Sequence, residues 1–388
     1  MITVDHIQFR KAALFAASVV ERRNTIPVLS TLKVTANGSL TLVGTDLDSY
    51  ASASLSYDGD EGEFLLPEPT KVAKALKGAG GEVVTLSQID KKLRVEAGEL
   101  TADLASFQSP DDFPAVDAVA EEAFGAVVGT DFFRALDRVR PAISTEETRY
   151  YLNGVFFHKV GDWLYRAVAT DGHRLFIADV PMPGSSGDLA EGVIIPRRAV
   201  ERAIAAFGKA ENGVRFAVGG AQKTNRKDTT LAPTTWNSRV GFAAAVGSLD
   251  LSLTTKLIDG TYPDIARVIP SGHPITIRVN RAALRKALKS ITPLSTDKTR
   301  AIKLVATPGQ ITLTLNSPDV GTSHFPVAAE HQAPTGFMIG LNARYLGDAI
   351  SSLTGENVDL GLTDSAAPMT ISDPADLTFK VVQMPMRV

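Results

Sequence analysis

The chain has 388 residues, 44% of them hydrophobic and 21% charged, which suits a globular protein with room for two or three domains that each bury a core. It contains no cysteine, which excludes disulfides and thiolate metal sites, and no run of 18 apolar residues, so no membrane partner is expected. Residues Met1–Val20 carry Asp5 and Arg10-Lys11 and lack a secretory pattern, so a reducing cytoplasm is the expected location. The net charge of −3, taken alone, argues weakly against a polyanionic partner.

In chain order, Phe9, Ala13 and Ala16 are spaced by four and then three, which puts them on one face of a first helix. A strand at Leu40–Leu42 ends at the polar turn Thr45-Asp46. Phe64-Leu65-Leu66-Pro67 then reads as a short strand running into a second helix with Val72, Leu76 and Ala79 inward, Pro67 standing where a helix start tolerates it. Strands at Val83–Leu86 and Leu93–Val95 follow, and Phe113-Pro114 closes the stretch.

The same order recurs twice. Phe132, Leu136 and Val139 mark a third helix, Leu164–Ala169 a strand turning at Thr170-Asp171, and Val193–Pro196 a strand before Val200, Ile204 and Phe207. This stretch closes at Tyr262-Pro263. Leu284, Leu288 and Ile291 then open the third copy, Ile311–Leu315 turns at Asn316-Ser317, and Phe337–Gly340 precedes Leu346, Ile350 and Leu353. A long internal period of this kind implies three related α+β domains, each with two helices backed by strands. Their boundaries are expected at 1–121, 122–272 and 273–388. The middle copy is longer, and the excess around 221–247, with polar Thr224–Asp228 and Ala232-Pro233, reads as a surface hairpin or loop.

Charge is distributed unevenly. The windows 9–20, 70–78, 132–140, 197–209, 281–290 and 342–353 hold 17 of the 40 basic residues but only 3 of the 43 acidic ones. Solvated helix surface explains Lys and Arg but not the scarcity of Glu, an equally good helix former. A basic, helix-lined surface facing a polyanion explains both, and such a surface holds phosphate backbones without reading sequence.

An enzymatic reading would use Asp171, His173 and Arg174, an acid–base set at one turn. Against it, the six histidines show no i, i+4 pair, there is no P-loop or G-x-S-x-G, and Asp171-Gly172 is what a tight turn requires. A basic repeat protein that binds RNA or DNA as an open monomer is a further alternative. No cofactor is expected.

The strings TRYYLNG at Thr148–Gly154, ATDGHRL at Ala169–Leu175, KLIDGTYPD at Lys256–Asp264 and MPMRV at Met384–Val388 carry a family resemblance, reinforced by TIPVL at Thr25–Leu29 and GTDL at Gly44–Leu47. Together they resemble the bacterial DNA polymerase III beta subunit, and the likeness runs from one end of the chain to the other. The resemblance implies three clamp domains per chain, each two helices packed on antiparallel sheets, with two chains closing head to tail as a homodimer into a six-domain ring. It implies a processivity factor that encircles double-stranded DNA and catalyses nothing. It also implies a pocket for short peptides of the polymerase alpha subunit, the clamp loader and other clamp-binding proteins. By this resemblance the pocket comprises Leu152, Thr170, Gly172, His173, Arg174, Leu175, Pro263, Arg267, Val268, Met369, Val382, Met384, Pro385, Met386 and Arg387. Its Leu, Val, Pro and Met would form an adaptable apolar cleft, with Arg174, Arg267 and Arg387 as anchors for peptide carbonyls or acidic groups. Met369 stands where the family usually has a small polar residue, and Gln383 replaces a usual aliphatic. For DNA, the resemblance points to Arg23, Tyr150, Tyr151 and Arg198. The tyrosines, leading into a strand, could touch a backbone or stack on an unpaired base, or simply pack at a core edge.

Overall fold

A computed structural model describes the chain except residues 22–23, 91, 106–107, 116–118, 120–122, 183–188, 190–191, 221–237, 271 and 297–299. Six helices stand where the four-then-three spacing puts them: α1 (His6–Ala16), α2 (Pro69–Ala79), α3 (Thr130–Val139), α4 (Arg197–Phe207), α5 (Arg281–Ile291) and α6 (Ala343–Ser352). Phe9, Ala13 and Ala16 of α1, Phe132, Leu136 and Val139 of α3, and Leu284, Leu288 and Ile291 of α5 are all buried. Each large apolar side chain removed from water in this way contributes about 1.5–3 kcal/mol. Capping fixes the starts: the side chains of Asp5, Asn280 and Asn342 accept backbone N–H groups from the first turns of α1, α5 and α6. In α2 it is Pro69, not Pro67, that occupies the first helical turn; Pro67 and Pro196 end the preceding strands.

The helices are backed by antiparallel strands, and the sheets continue across the sequence repeats. The described residues of 1–133 and 201–259 form one compact unit, and those of 134–182, 189–200 and 260–388 form another. In the first unit, an eight-stranded sheet joins strand Ser49–Leu55 to strand Leu249–Lys256, in register Leu251 opposite Ala53. A five-stranded sheet lies in the same unit. In the second, a twelve-stranded sheet joins Arg174–Pro181 to Asp376–Gln383, with Ile177 opposite Lys380. Aromatic packing fills the first core, where the rings of Phe132, Phe216 and Phe242 meet at a tilt with centroids 5.3–6.1 Å apart.

The polar part of the expected insertion lies outside the described residues. Its end does not loop: Ser238–Val246 is a strand of the eight-stranded sheet, paired with Val214–Gly220, and Phe242 within it is fully buried. The run Val240–Ala243 holds it there, because those side chains supply core on the sheet.

The turn after the third strand of the first repeat and its counterpart in the second share one geometry. Thr45 donates its hydroxyl to the Ser49 carbonyl at 2.9 Å, and Asp46 Oδ1 accepts the N–H groups of Asp48 and Ser49. Thr170 donates to the Arg174 carbonyl at 2.7 Å, and Asp171 Oδ1 accepts from His173 and Arg174. The third turn residue has positive φ in both, 74° at Leu47 and 86° at Gly172. Asp171 is thereby occupied in shaping a turn, which removes it from the acid–base set considered above.

A candidate peptide cleft and a basic helix surface

Four segments of the second unit converge on a cleft of about 240 Å³. A 3-10 helix, Glu147–Leu152, supplies Arg149, Tyr151 and Leu152. The turn described above supplies Thr170, Gly172, Arg174 and Leu175, the strap after Tyr262 supplies Pro263, Asp264, Ile265 and Val268, and the end of the last strand supplies Val382 and Met384. Sheet pairing holds the parts in place: Thr170 lies opposite Leu175, and Leu175 opposite Val382. The floor is apolar and buried at Leu152, Leu175 and Val382, while Val268 and Met384 stand exposed at the rim by 46% and 42%. An apolar floor with exposed apolar rim residues suits an extended segment with aliphatic or aromatic side chains.

Nine of the fifteen expected pocket residues line this cleft: Leu152, Thr170, Gly172, Arg174, Leu175, Pro263, Val268, Val382 and Met384. Six do not. His173 sits on the turn, where its carbonyl accepts the Met384 N–H at 2.9 Å and its ring stacks near Tyr345. Arg267 is 85% exposed and bonds Asp264 at 3.0 Å. Pro385, Met386 and Arg387 continue past the cleft, with the Met386 N–H donating to the Gly340 carbonyl at 2.9 Å. The backbones approach so closely there that a Cβ at position 340 would meet the Met386 oxygen. Met369 is fully buried and lies directly opposite Gln383 on the neighbouring strand. The two departures from the family pattern are therefore cross-strand neighbours, one layer behind the cleft, and Gln383 Nε2 donates to the Asn342 carbonyl at 3.1 Å.

Arg174 lines the cleft and is also tied into the wall behind it. It is 7% exposed, and its guanidinium has an internal partner at each nitrogen: Nε donates to Asp171 at 3.0 Å, Nη1 to Asp348 at 2.6 Å and Nη2 to the Pro141 carbonyl. The Tyr345 ring lies 4.3 Å from it. Such a group braces the cleft wall, with three of its five N–H donors committed to internal partners. Arg149, Tyr151, Asp264 and Ile265 complete the lining. Behind the strap, Tyr262 stacks on Phe156 at 4.8 Å and Phe156 on His158 at 4.7 Å. Burial pushes the Tyr262 phenol well above its ordinary range. Burial, and secondarily Arg166, holds the His158 imidazole below its own.

Of the four residues expected at DNA, Arg23 lies outside the described residues. Tyr150 and Tyr151 belong to the 3-10 helix ahead of strand Gly154–Lys159, with rings edge to face at 5.9 Å. Tyr150 is 54% exposed, whereas Tyr151 is half-buried and faces the cleft. Arg198 is exposed in the first turn of α4. Across the six helical windows, Lys11, Lys71, Lys74, Lys77, Arg134, Arg198, Lys209, Arg285, Lys286, Lys289 and Arg344 are exposed. Arg138 is an exception: it is buried, bonds Asp376 at 2.7 Å and the Ser352 carbonyl at 2.9 Å, and stacks over Phe379 at 4.0 Å.

Family models match almost the whole chain: the N-terminal domain of the DNA polymerase III beta subunit at residues 1–117, its central domain at 127–264 and its C-terminal domain at 266–387. The chain belongs to the DNA polymerase III beta subunit family. The beta sliding clamp of Caulobacter vibrioides is 34% identical over 394 residues, with all of both chains covered, and that of Escherichia coli 28% identical over 391 residues, covering 100% of this chain and 99% of the relative. Among solved structures, Caulobacter crescentus pol III beta superposes with a TM-score of 0.84 at 33% identity over all of both chains. A sliding clamp of Bartonella birtlesii bound to griselimycin gives 0.85 at 33% identity, covering 100% of this chain and 99% of that one. The chain is thus built of three clamp domains, helices packed on antiparallel sheets, and is an accessory subunit of the replicative polymerase with no catalytic role of its own. Among the described residues no helix is long and apolar enough to cross a membrane.

Proposed function

We propose that this chain works as a homodimeric ring around duplex DNA in the cytoplasm, and that the cleft of the second unit tethers the polymerase alpha subunit, the clamp loader and other proteins that carry a short apolar clamp-binding segment. The domains of each chain take the spans 1–121, 122–272 and 273–388, and two chains close head to tail. The basic helix faces turn toward the DNA, with Arg23, Tyr150 and Arg198 as contacts and Tyr151 shared with the cleft. A closed ring needs no tight or specific DNA contact, because topology prevents escape while screened charge permits sliding.

The observation that carries this reading is the pairing of two surfaces in one family member. One is a set of helices whose apolar faces are buried and whose exposed faces are basic. The other is an apolar cleft closed by the last strand and Met384. The test is retention on DNA after loading: nicked circular DNA keeps the protein, and linearising the circle releases it. Equal retention on both would refute topological tethering.

A further inference from the structure

Strand Met338–Asn342 is the last strand of the twelve-stranded sheet, so one of its sides is an open edge. The Phe337 carbonyl accepts the Ala306 N–H at 2.8 Å, and the Ala343 N–H donates to the Arg300 carbonyl at 3.0 Å. These bonds make the odd-numbered residues the ones that pair with strand Ala301–Thr307. Backbone groups alternate between the two sides of an antiparallel strand, so Met338, Gly340 and Asn342 turn theirs to the open side. An uncovered edge is a template for another chain. Here the C-terminal segment covers two of the three outward carbonyls. The Met386 N–H donates to Gly340 at 2.9 Å, and the Gln383 side chain donates through Nε2 to Asn342 at 3.1 Å. Between these two anchors stand Met384, the exposed rim residue of the cleft, and Pro385.

The side-chain anchor is chemically unusual. Gln383 is fully buried and lies opposite Arg174 on one neighbouring strand and Met369 on the other, so the three side chains share one face of the sheet. A carbonyl takes only donors, so the Asn342 oxygen orients the amide with Nε2 toward it. Oε1 then points away and, among the described residues, has no hydrogen-bond partner. An orphan buried acceptor offsets what the one donated bond contributes. An aliphatic side chain would fill the same layer with neither bond nor orphan. The amide therefore adds little to stability, and what it adds is position. It ties residue 383 to the N-cap residue of α6, and Met384 cannot shift without straining that bond or the Met386 bond.

We infer that Gln383 is a positioning residue of the peptide cleft: together with the Met386 N–H it clamps the last residues to the sheet edge and holds Met384 at the rim. The inference deepens the function proposed above and rests on its reading of the cleft. Gln383 acts through its neighbours, because adjacent residues of a strand point to opposite faces, and it is Val382 and Met384 that line the cleft.

The test is Gln383→Leu in the full-length protein, read in three ways. The chain has six methionines, and methyl labelling gives each a signal. In the ligand-free variant the Met384 and Met386 signals should shift and narrow as the segment loosens, while those of Met1 and Met182 stay in place. Calorimetric affinity for acetyl-Leu-Ser-Leu-Ser-Phe-amide, whose three apolar side chains fall on one side of an extended backbone, should drop roughly two- to tenfold, the range one hydrogen bond commands. The melting temperature should stay at or above the wild-type value, because the orphan acceptor is removed with the bond. Unmoved Met384 and Met386 signals overturn the inference, and so does wild-type peptide affinity in the variant. A loss of affinity matched by a lower melting temperature and shifts in all six signals also overturns it, since that is general loosening. Failure of the wild type to bind the peptide would strike the cleft reading instead, and the methyl signals of the ligand-free protein distinguish the two failures.

Discussion

Arg174→Ala tests whether the peptide cleft depends on an internal brace. The side chain is 7% exposed and ties three elements together: the turn through Asp171, α6 through Asp348, and the segment after α3 through the Pro141 carbonyl. Truncation leaves two carboxylates and a carbonyl without their cation and removes the stacking on Tyr345. Breaking a buried ion pair costs about 3–5 kcal/mol. The lower end applies, because Asp348 is 34% exposed and gains water, and Asp171 keeps its two backbone donors. A loss of about 3 kcal/mol corresponds to a fall of roughly 6–12 °C in melting temperature for a unit of this size. Arg174→Lys keeps the charge but cannot fork to all three partners, and should fall about halfway between. Thermal unfolding by circular dichroism reads the stability, and calorimetric titration with a short apolar peptide of the kind proposed for the cleft reads the cleft, where the affinity should fall with the brace. A melting temperature and peptide affinity both unchanged in Arg174→Ala would refute the reasoning.

The imidazole of His158 is held below its ordinary pKa of 6.5 by burial and by Arg166. The unfolded chain therefore takes up the proton first as pH falls through 6.5, and stability present above that value is lost below it. Melting temperatures measured at neutral and mildly acidic pH should show this loss, and His158→Phe should shrink it; an identical pH dependence in the variant would contradict the assignment. The tail makes a separate prediction. Deleting Met384–Val388 removes the rim residue and the backbone bonds to His173 and Gly340, and should abolish peptide binding while sedimentation still reports a dimer. Gly340→Val should weaken the same binding with the tail present, because its side chain would meet the Met386 carbonyl. Wild-type affinity in both would exclude the tail from the cleft.

Much of the architecture was legible because it is local. The four-then-three spacing marks the inner face of α1, α3 and α5 directly, while Ala79 of α2 and Ile204 of α4 are only half-buried, and the T-D turns carry their own hydrogen-bonding side chains, so a few residues decide each element. The sheets were less legible. The pairing of Leu249–Lys256 with Ser49–Leu55 joins strands some two hundred positions apart, and nothing in either strand names its partner. The same limit explains the arginines. Arg138 and Arg174 look like any helix or turn cation in sequence, yet their partners Asp376 and Asp348 lie 238 and 174 residues away, and burial with those partners decides their roles. In the cleft, the quoted strings contained more than was assigned from them. Arg149 and Tyr151 stand inside TRYYLNG, Asp264 closes KLIDGTYPD, and Ile265 is the next residue. Their side chains reach the cleft because a 3-10 helix and a strap, rather than strands, present them, and that geometry has no strong periodic signature.

Direct imaging of the purified particle by electron cryomicroscopy tests the central claim. The account predicts two copies of the chain around an open hole wide enough for duplex DNA, with α1 to α6 of each copy lining it and Lys71, Lys74, Arg285 and Lys289 pointing into it. A monomer, or a particle whose opening is walled by sheet with those cations on its outer surface, would contradict it.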